Sequence, residues 1–346
     1  MLALASAVVI TSCKKEETPA EETPTTIKNG FVIGCEGTFG FNNAELFWLA
    51  DDGALRSNTF AAANGYGPGD VLQSYTEYNG KGYVVMNNSQ KVIVTDASTN
   101  TELAVITGCD YPRHLLAVSE QKAYLSNGSI DGELMIVNLA NNQIIGSIPV
   151  GYGPEEIVYN GEYVFVCNSG GWDYDQTVSV IDPLTDTVVE TVEVALNPVA
   201  LEVDYQGNVW VLGNGQTLFD ENWNIISETV PQLMRIDAAT FSISAILNVG
   251  AEGDHPRYLE MNPDRNEVYV LNHGVMRLPI AAGTFVSDVL TGEFGAMVVH
   301  PATGEFLLTS VPNYVDNDHV YLYSSSGQLL ETHEVGVAPR TFYYRD

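Results

Sequence analysis

Three arginines of this chain stand in the same local setting, one residue after a proline. They are Arg113, Arg257 and Arg340, in a chain that has only 14 basic residues. A guanidinium group presents a planar fork of N–H donors that matches the oxygens of a phosphate or a carboxylate. The pattern therefore indicates an anion-binding site. Pairing of each arginine with a carboxylate of a neighbouring repeat, which would merely hold the repeats together, is an equally good interpretation.

Aromatic and amide side chains occur beside these arginines or in equivalent loops. Trp172 and Tyr174 lie in a glycine-rich loop, a composition that favours exposed rings over core packing. We therefore predict a polar binding platform lined with rings. The predicted ligand-binding residues are Arg113, Arg257, Arg340, Tyr111, Tyr152, Trp172, Tyr174, Asn88, Asn127, Asn168, His255 and Tyr314.

The sequence contains no pattern that indicates catalysis or a metal centre. The 6 histidines have no HxxxH or HxH spacing, and only His255 and His273 are expected to approach each other. Two Asp-x-Asp pairs, at 173–175 and 316–318, fit turns better than calcium, which needs about six to eight oxygen ligands. With no nucleophile elbow or phosphate loop, we predict a binding protein without a cofactor. A metal-dependent lyase or lactonase using the two histidines is a less favoured alternative.

A repeated unit decides the fold class. Short β-branched and aromatic strands alternate with Gly, Asn and Asp turns, and six units begin near Pro68, Pro112, Pro154, Pro198, Pro256 and Pro339. Phe294-Gly295 occupies the place of a seventh start. Intervals of about 42 to 44 residues match a four-stranded propeller blade. One longer interval contains an insertion from Gly213 to Pro231, which we expect to rise above the platform as an extended loop.

These observations predict an all-β, seven-bladed β-propeller of four-stranded antiparallel blades. The segment Val337–Tyr344 reads as a first strand without a successor, and Gly30–Cys35 reads as a second strand without a predecessor. The C-terminal strand should therefore complete the N-terminal blade and close the ring. In such a ring, first strands start and second strands end on one face, so the predicted ligand-binding residues should meet at the channel mouth.

The N-terminal residues predict export and lipidation. Residues 1–12 form an apolar signal segment too short to span a bilayer. Ile10-Thr11-Ser12-Cys13 resembles a lipobox, which makes Cys13 the lipidated residue. Residues 13–26 are rich in Pro, Glu and Thr and are expected to form a flexible tether, ahead of the propeller at 27–346. We expect a lipid-anchored outer-membrane protein that faces the cell exterior.

Charge and cysteine content restrict the partners. The formal net charge is −30, from 44 acidic and 14 basic residues. This charge would repel nucleic acid and anionic lipid headgroups, so neither is an expected partner. Cys35, Cys109 and Cys167 have no metal-ligand spacing and are interpreted as buried thiols, although a disulfide between two of them stays open.

Several segments resemble the YncE-like propeller lipoproteins of Bacteroidetes, in particular the BtuG cobalamin-binding family. The resemblance rests on segments at 31–40, 60–65, 69–71, 85–89 and 111–113. It departs from the family at Gly34-Cys35, where an asparagine usually precedes the Glu-Gly pair. The resemblance implies that vitamin B12 or a related cobamide is bound and delivered to a TonB-dependent outer-membrane receptor. A surface scaffold that binds protein or glycan through the aromatic loops is the alternative.

Overall fold

The computed structural model describes residues 29–346, which form seven four-stranded antiparallel sheets arranged in a ring. The predicted signal segment, Cys13 and the tether lie outside the described residues. Blade 1 begins with β1 (Gly30–Cys35), β2 (Glu45–Ala50) and β3 (Leu55–Arg56), and the short helix α1 (Thr59–Asn64) follows. No helix in the described part of the chain is long and apolar enough to cross a membrane.

The remaining blades follow in chain order. Blade 2 contains β4 (Leu72–Tyr78), β5 (Lys81–Met86), β6 (Lys91–Asp96) and β7 (Glu102–Thr107). Blade 3 contains β8 (Pro112–Ser119), β9 (Lys122–Asn127), β10 (Glu133–Asn138) and β11 (Gln143–Pro149). Blade 4 contains β12 (Pro154–Tyr159), β13 (Val164–Asn168), β14 (Thr177–Asp182) and β15 (Thr187–Glu193).

Blade 5 is interrupted by an inserted hairpin. Its strands are β16 (Pro198–Val203), β17 (Val209–Gly213), then the hairpin β18 (Thr217–Phe219) and β19 (Ile225–Glu228), then β20 (Gln232–Ile236) and β21 (Ile243–Asn248). Blade 6 contains β22 (Leu259–Met261), β23 (Glu267–Leu271), β24 (Gly274–Pro279) and β25 (Leu290–Thr291). Blade 7 contains β26 (Met297–Val299), β27 (Phe306–Thr309), β28 (His319–Tyr323) and β29 (Leu329–Glu334). The last strand is β30 (Pro339–Arg345).

The last strand closes the ring, as the sequence predicts. Strand β30 pairs antiparallel with β1, so that Phe31 lies opposite Tyr344 and Ile33 lies opposite Phe342. It occupies the innermost position of blade 1, while β3 is outermost. The first and last strands of the propeller are therefore held in one sheet, which confirms the predicted fold.

Each blade packs with both faces against its neighbours, which explains its nearly continuous apolar strands. Val85 of β5 packs in a cluster with Leu125 of blade 3, whereas the adjacent Val84 packs with Leu46 of blade 1. Because strand side chains alternate between faces, both must be apolar. Full burial of one such side chain stabilises the fold by about 1.5–3 kcal/mol. A charged residue at Val85 would therefore separate blades 2 and 3.

The insertion at 213–231 differs from the extended loop that we expected. It contains the hairpin β18–β19, which pairs antiparallel from Thr217–Glu228 to Phe219–Ile225. Asp220 closes its turn, because its Oδ1 accepts hydrogen bonds from the backbone N–H groups of Asn222 and Asn224. The expectation of an extended loop missed this local turn chemistry.

The three cysteines within the described residues are free and buried. Burial raises the pKa of Cys109 to about 11 and raises the pKa values of Cys35 and Cys167 further. A thiol with a raised pKa is a poor nucleophile and a poor metal ligand. These cysteines are core residues, in agreement with the interpretation as thiols.

Candidate functional site

The central channel opens at one face into a cavity of about 680 Å³. The starts of the innermost strands and the ends of the second strands line it, which is the convergence expected for a propeller. The charged groups at its mouth are Glu36, Arg113, Glu155, Arg257 and Arg340. We call this set the charged mouth. It brings together all three arginines predicted from the proline pattern.

Arg113 is fixed by two neighbours. Its Nη1 donates to Gln73 Oε1 at 2.8 Å, and its Nε lies 3.4 Å from Glu155 Oε1 of the next blade. The loop after β9 leaves space for it, since a Cβ on Gly128 would lie 2.6 Å from the Arg113 Nε. The Nε has no hydrogen bond of good geometry despite its burial.

Arg340 is also paired. Its Nη1 lies 3.4 Å from Glu36 Oε2 and donates to the Tyr314 hydroxyl at 3.2 Å. The Tyr258 hydroxyl of blade 6 lies 3.4 Å from the Arg340 Nε. The ring-holding interpretation therefore describes two of the three arginines, because Arg113 and Arg340 both have carboxylate partners.

Arg257 differs from the other two arginines. Its side chain is exposed, and it has no hydrogen bond and no ion pair with any residue from 29 to 346. Its charge still acts on Glu155 and opposes the rise in the pKa of that carboxyl that burial causes. An arginine held at a cavity mouth without a partner has its whole N–H fork available for a ligand.

The acidic groups of the channel are shifted by burial. Desolvation raises the pKa of Glu155, and the nearby Arg113, Arg257 and Arg340 act against this rise. Deeper in the channel, desolvation raises the pKa of Glu156 to about 8.

Burial also shifts the pKa values of two further groups in the channel. Desolvation and the charges of Glu202 and Glu156 raise the pKa of Glu260 well above its usual value. His114 is neutral, since burial lowers its pKa to about 4. The cationic mouth therefore stands above a channel in which burial disfavours the charged forms of Glu156, Glu260 and His114.

Aromatic rings flank the charged mouth. Tyr111 and Trp172 meet edge to face, with ring centroids 6.4 Å apart. Trp172 is 80% exposed, and Tyr152 also presents its ring to solvent. Tyr174 is tied to the inserted hairpin, because its hydroxyl donates to the Thr217 carbonyl at 3.0 Å. Exposed rings next to an anion site can stack on a flat ligand.

The three predicted asparagines fall into two groups. Asn88 is exposed at the mouth and donates to Asp70. Asn127 and Asn168 are buried and serve the blades themselves: Asn127 Oδ1 accepts from Tyr111 N at 2.8 Å, and Asn168 donates to Thr177 Oγ1 at 3.0 Å. These two amides therefore lie within the blades and not on the exposed surface of the mouth. A side chain at a strand end can hold its own turn instead of facing a ligand.

The two histidines expected to approach each other have separate partners. His255 Nδ1 lies 2.9 Å from the Asn214 carbonyl, and its Nε2 lies 3.0 Å from Thr217 Oγ1. His273 lies between Asp254 and Glu293. Between residues 29 and 346 there is no group of three or more His, Cys, Asp or Glu side chains placed to hold a metal ion.

The Asp-x-Asp pairs act as hydrogen-bond acceptors. Asp175 Oδ2 accepts from Tyr152 N at 2.9 Å, and Asp318 Oδ2 accepts from Ala338 N at 2.9 Å. Each bond ties two neighbouring loops of the mouth together. These two bonds connect residues 23 and 20 positions apart in the chain, so they differ from the local turns that the sequence predicts.

The sequence analysis did not select Glu155, Gln73 or Tyr258, although all three contact the arginines or lie between them. A signal for Glu155 was present: it follows Pro154, so it occupies in blade 4 the position that arginine occupies in three other blades. Gln73 and Tyr258 carry no such signal, because neither stands at a repeated position beside a proline.

The chain was compared with known families and structures. A family model described as "Domain of unknown function (DUF5074)" matches residues 29–335. No curated protein matches the chain. The hydrazine synthase of Kuenenia stuttgartiensis is similar in structure, with a TM-score of 0.62 and 14% identity over 90% of this chain and 100% of that chain.

A second solved structure has a similar relationship to the chain. It is a quinonprotein alcohol dehydrogenase-like protein from Bacteroides thetaiotaomicron VPI-5482, with a TM-score of 0.64 and 15% identity over 92% of this chain and 79% of that chain. Identities this low establish a shared propeller fold and nothing about a shared reaction.

Proposed function

The chain belongs to the DUF5074 family of β-propellers, and on this premise we propose that it captures a ligand at the charged mouth, most specifically vitamin B12 or a related cobamide. The observation that carries the proposal is Arg257, which lines the cavity without a hydrogen bond or ion pair to the described residues. The exposed rings of Tyr152 and Trp172 do not line the cavity, but they belong to the loops around its lining residue Gly171. N–H donors for an anion beside flat aromatic rings fit a ligand that has both an anionic group and a flat apolar surface.

A cobamide has this combination of chemistry. Its nucleotide loop contains a phosphodiester, which Arg257 would bind through its free N–H fork. Its corrin ring is broad and flat and would lie against Trp172 and Tyr152. Its peripheral amides would reach exposed polar groups such as Asn88. The YncE-like resemblance in the segments at 31–40 and 85–89 supports the same ligand.

The mouth is largely preformed, which favours tight capture. Its loops are tied to one another by bonds such as Gly153 N to Ser129 O at 3.1 Å and Thr38 Oγ1 to Tyr314 O at 2.7 Å. A rigid site loses little conformational entropy when a ligand binds. High affinity suits the capture of a scarce nutrient.

The cellular setting is part of the proposal. Lipidation at Cys13 would hold the propeller on the outer membrane, facing the exterior. A TonB-dependent receptor would then take the ligand from the mouth. Both statements rest on the N-terminal sequence and on the YncE-like resemblance.

Calorimetric titration with cyanocobalamin tests the proposal. We expect saturable one-to-one binding with a Kd below about 1 μM, which corresponds to more than about 8 kcal/mol. Cobinamide, which lacks the nucleotide loop and its phosphate, should bind more weakly to the wild-type protein. Arg257→Gln should bind the two compounds about equally. Absence of cyanocobalamin binding at about 100 μM would reject cobamide capture.

A second candidate is a surface module that binds protein or glycan, and the inserted hairpin favours it. Trp223 is 81% exposed and contacts Phe219 with ring centroids 6.0 Å apart. Ile225 and Ile226 are exposed beside them. An apolar cluster of this kind in water is typical of a contact surface. If binding of a protein or glycan is lost in Trp223→Ala but retained in Arg257→Gln, this candidate is supported over the first.

A further inference from the structure

We infer that Glu155 is the resident counter-anion of the charged mouth, and that the anionic group of the ligand binds in competition with it, so that binding is coupled to protonation of Glu155. The inference rests on the proposed function in one respect, namely that the mouth is the binding site. The inference adds the charge of the ligand group that the site accepts and the pH dependence of ligand binding.

The position of Glu155 carries the inference. It lies in the same cavity lining as Arg113, Arg257 and Arg340, and its Oε1 is 3.4 Å from the Arg113 Nε. All three arginines act on its charge. The Glu155 carboxylate therefore lies among the arginines, in the position where an anionic group of the ligand would bind. Arg257 is exposed and has no hydrogen bond within residues 29–346, so its donors remain for a second oxyanion.

The charge of the cavity sets the ligand class. Burial raises the pKa values of Glu156 and Glu260 and lowers the pKa of His114, so it disfavours the charged form of all three groups. The other charged groups of the lining are three arginines and the two carboxylates Glu36 and Glu155, so the arginines outnumber these carboxylates by one. A group with a single negative charge, a phosphodiester or a carboxylate, balances this excess.

The surroundings of Glu155 explain why a ligand anion would protonate it. The groups that act on it are Arg113 of β8, Glu156 of β12, Cys167 of β13, Ser169 after β13, Arg257 before β22 and Arg340 of β30. Glu36 and His114 line the same cavity. Desolvation already favours its neutral form, and the arginines keep it charged. A bound anion would share those arginines and add like-charge repulsion, so Glu155 would take up a proton. The affinity for the anion should therefore rise as pH falls.

Dimethyl phosphate is a suitable probe, because it carries one negative charge throughout the pH range of the test. Its Kd would be measured by phosphorus NMR for the wild-type protein, for Glu155→Gln and for the control Glu162→Gln. The control removes the same charge from an exposed turn of blade 4 at the opposite face. Parallel titrations with acetate at pH 7.5 distinguish carboxylate from phosphodiester preference. Thermal melting verifies that both variants fold.

We expect Glu155→Gln to bind dimethyl phosphate about tenfold more tightly than the wild type at pH 7.5, and the difference to shrink to about twofold at pH 5. Glu162→Gln should match the wild type. Calorimetry of cyanocobalamin in buffers of different ionisation enthalpy should show proton uptake by the wild type and none by Glu155→Gln.

Two results separate this inference from the proposed function. Tight cyanocobalamin binding without proton uptake, and with equal affinity in Glu155→Gln, overturns the inference while cobamide capture stands. Dimethyl phosphate binding with the expected pH profile, in a protein that does not bind cyanocobalamin, upholds the inference while cobamide capture fails. Equal dimethyl phosphate affinity in Glu155→Gln and Glu162→Gln also overturns it.

Discussion

The backbone N–H of Leu201 donates a hydrogen bond of 3.0 Å to Oε2 of Glu156, across the junction between the innermost strands of blades 4 and 5. A comparable bond joins blades 2 and 3, where the Ser74 hydroxyl donates to the Arg113 carbonyl at 2.6 Å. Innermost strands of different blades share no ladder, so their edge groups need side-chain partners. These bonds hold the channel wall together from blade to blade.

The Glu156 bond predicts an unusual pH dependence of stability. Burial raises the pKa of Glu156 to about 8, whereas the unfolded side chain titrates near its ordinary value of 4.5. Between these values, the folded state binds a proton that the unfolded state lacks, so stability falls as pH rises through this window. Glu156→Gln keeps an acceptor for Leu201 and should stabilise the fold by about 1–3 kcal/mol at pH 8, with little effect at pH 4.5.

Urea unfolding at the two pH values measures this effect. Glu156→Ala should instead destabilise the protein by about 1–3 kcal/mol at pH 4.5, because it leaves the Leu201 N–H unpaired. At pH 8 its cost should be smaller, because loss of the buried carboxyl also removes the penalty of ionising it. The exposed Glu162→Gln serves as the control for loss of charge. An equal change in unfolding free energy for Glu156→Gln at both pH values would contradict the assigned shift.

Because Arg113 is paired and Arg257 is not, we expect their substitutions to affect ligand affinity and protein stability differently. Arg257→Gln should weaken cobamide binding by about tenfold or more with little change in melting temperature, since its charge has no structural partner. Arg113→Gln should weaken binding and also destabilise the fold, because Glu155 then loses its nearest cation. Calorimetry and thermal melting of the same two variants provide the comparison. Equal destabilisation by both changes would be inconsistent with the geometry.

The two most exposed tryptophans among residues 29–346 provide a matched pair. Trp172 is 80% exposed beside the charged mouth, and Trp223 is 81% exposed on the inserted hairpin. Trp172→Ala should weaken cobamide binding by about tenfold, in keeping with the loss of one ring contact. Trp223→Ala should bind as the wild type does. If a cyanocobalamin titration instead shows weaker binding by Trp223→Ala and unchanged binding by Trp172→Ala, the binding site lies at the hairpin.

The sequence was sufficient to predict the fold, because repeats multiply weak local signals. Pro112, Pro154, Pro198 and Pro339 are each the first residue of an innermost strand, and the N-terminal and C-terminal strands share blade 1 as expected. Pro68 and Pro256 instead precede their strands by a few residues. A proline marks where a strand becomes possible and does not fix its first ladder bond.

The candidate site was predictable only in part. The proline pattern brought Arg113, Arg257 and Arg340 to one mouth, because equivalent positions converge in a ring. It did not distinguish the paired arginines from the free one, because pairing depends on carboxylates from other blades. Nor did it separate exposed Asn88 from buried Asn127, since both follow second strands. Side-chain direction at a strand end is set by tertiary contacts that spacing does not encode.

A buried ion pair joins the closing strand β30 to blade 2. Arg345 of β30 donates through Nε to both oxygens of Glu77 in blade 2, at 2.9 and 3.0 Å, and each side chain is only 10% exposed. Arg345→Met should destabilise the protein by about 3–5 kcal/mol, because Glu77 is then left buried without a cation. Replacing both residues with methionine should cost less, because no charge remains unpaired.

The Arg277–Glu267 pair provides the control for this final prediction. Its shortest distance is 3.2 Å, but Arg277 is 41% exposed and both residues belong to blade 6. Water screens such a pair, so Arg277→Met should cost less than about 1 kcal/mol. If urea unfolding shows equal losses for Arg345→Met and Arg277→Met, the Arg345–Glu77 pair does not latch the ring. A larger loss for Arg345→Met that the double substitution partly restores would assign the effect to the charge left on Glu77.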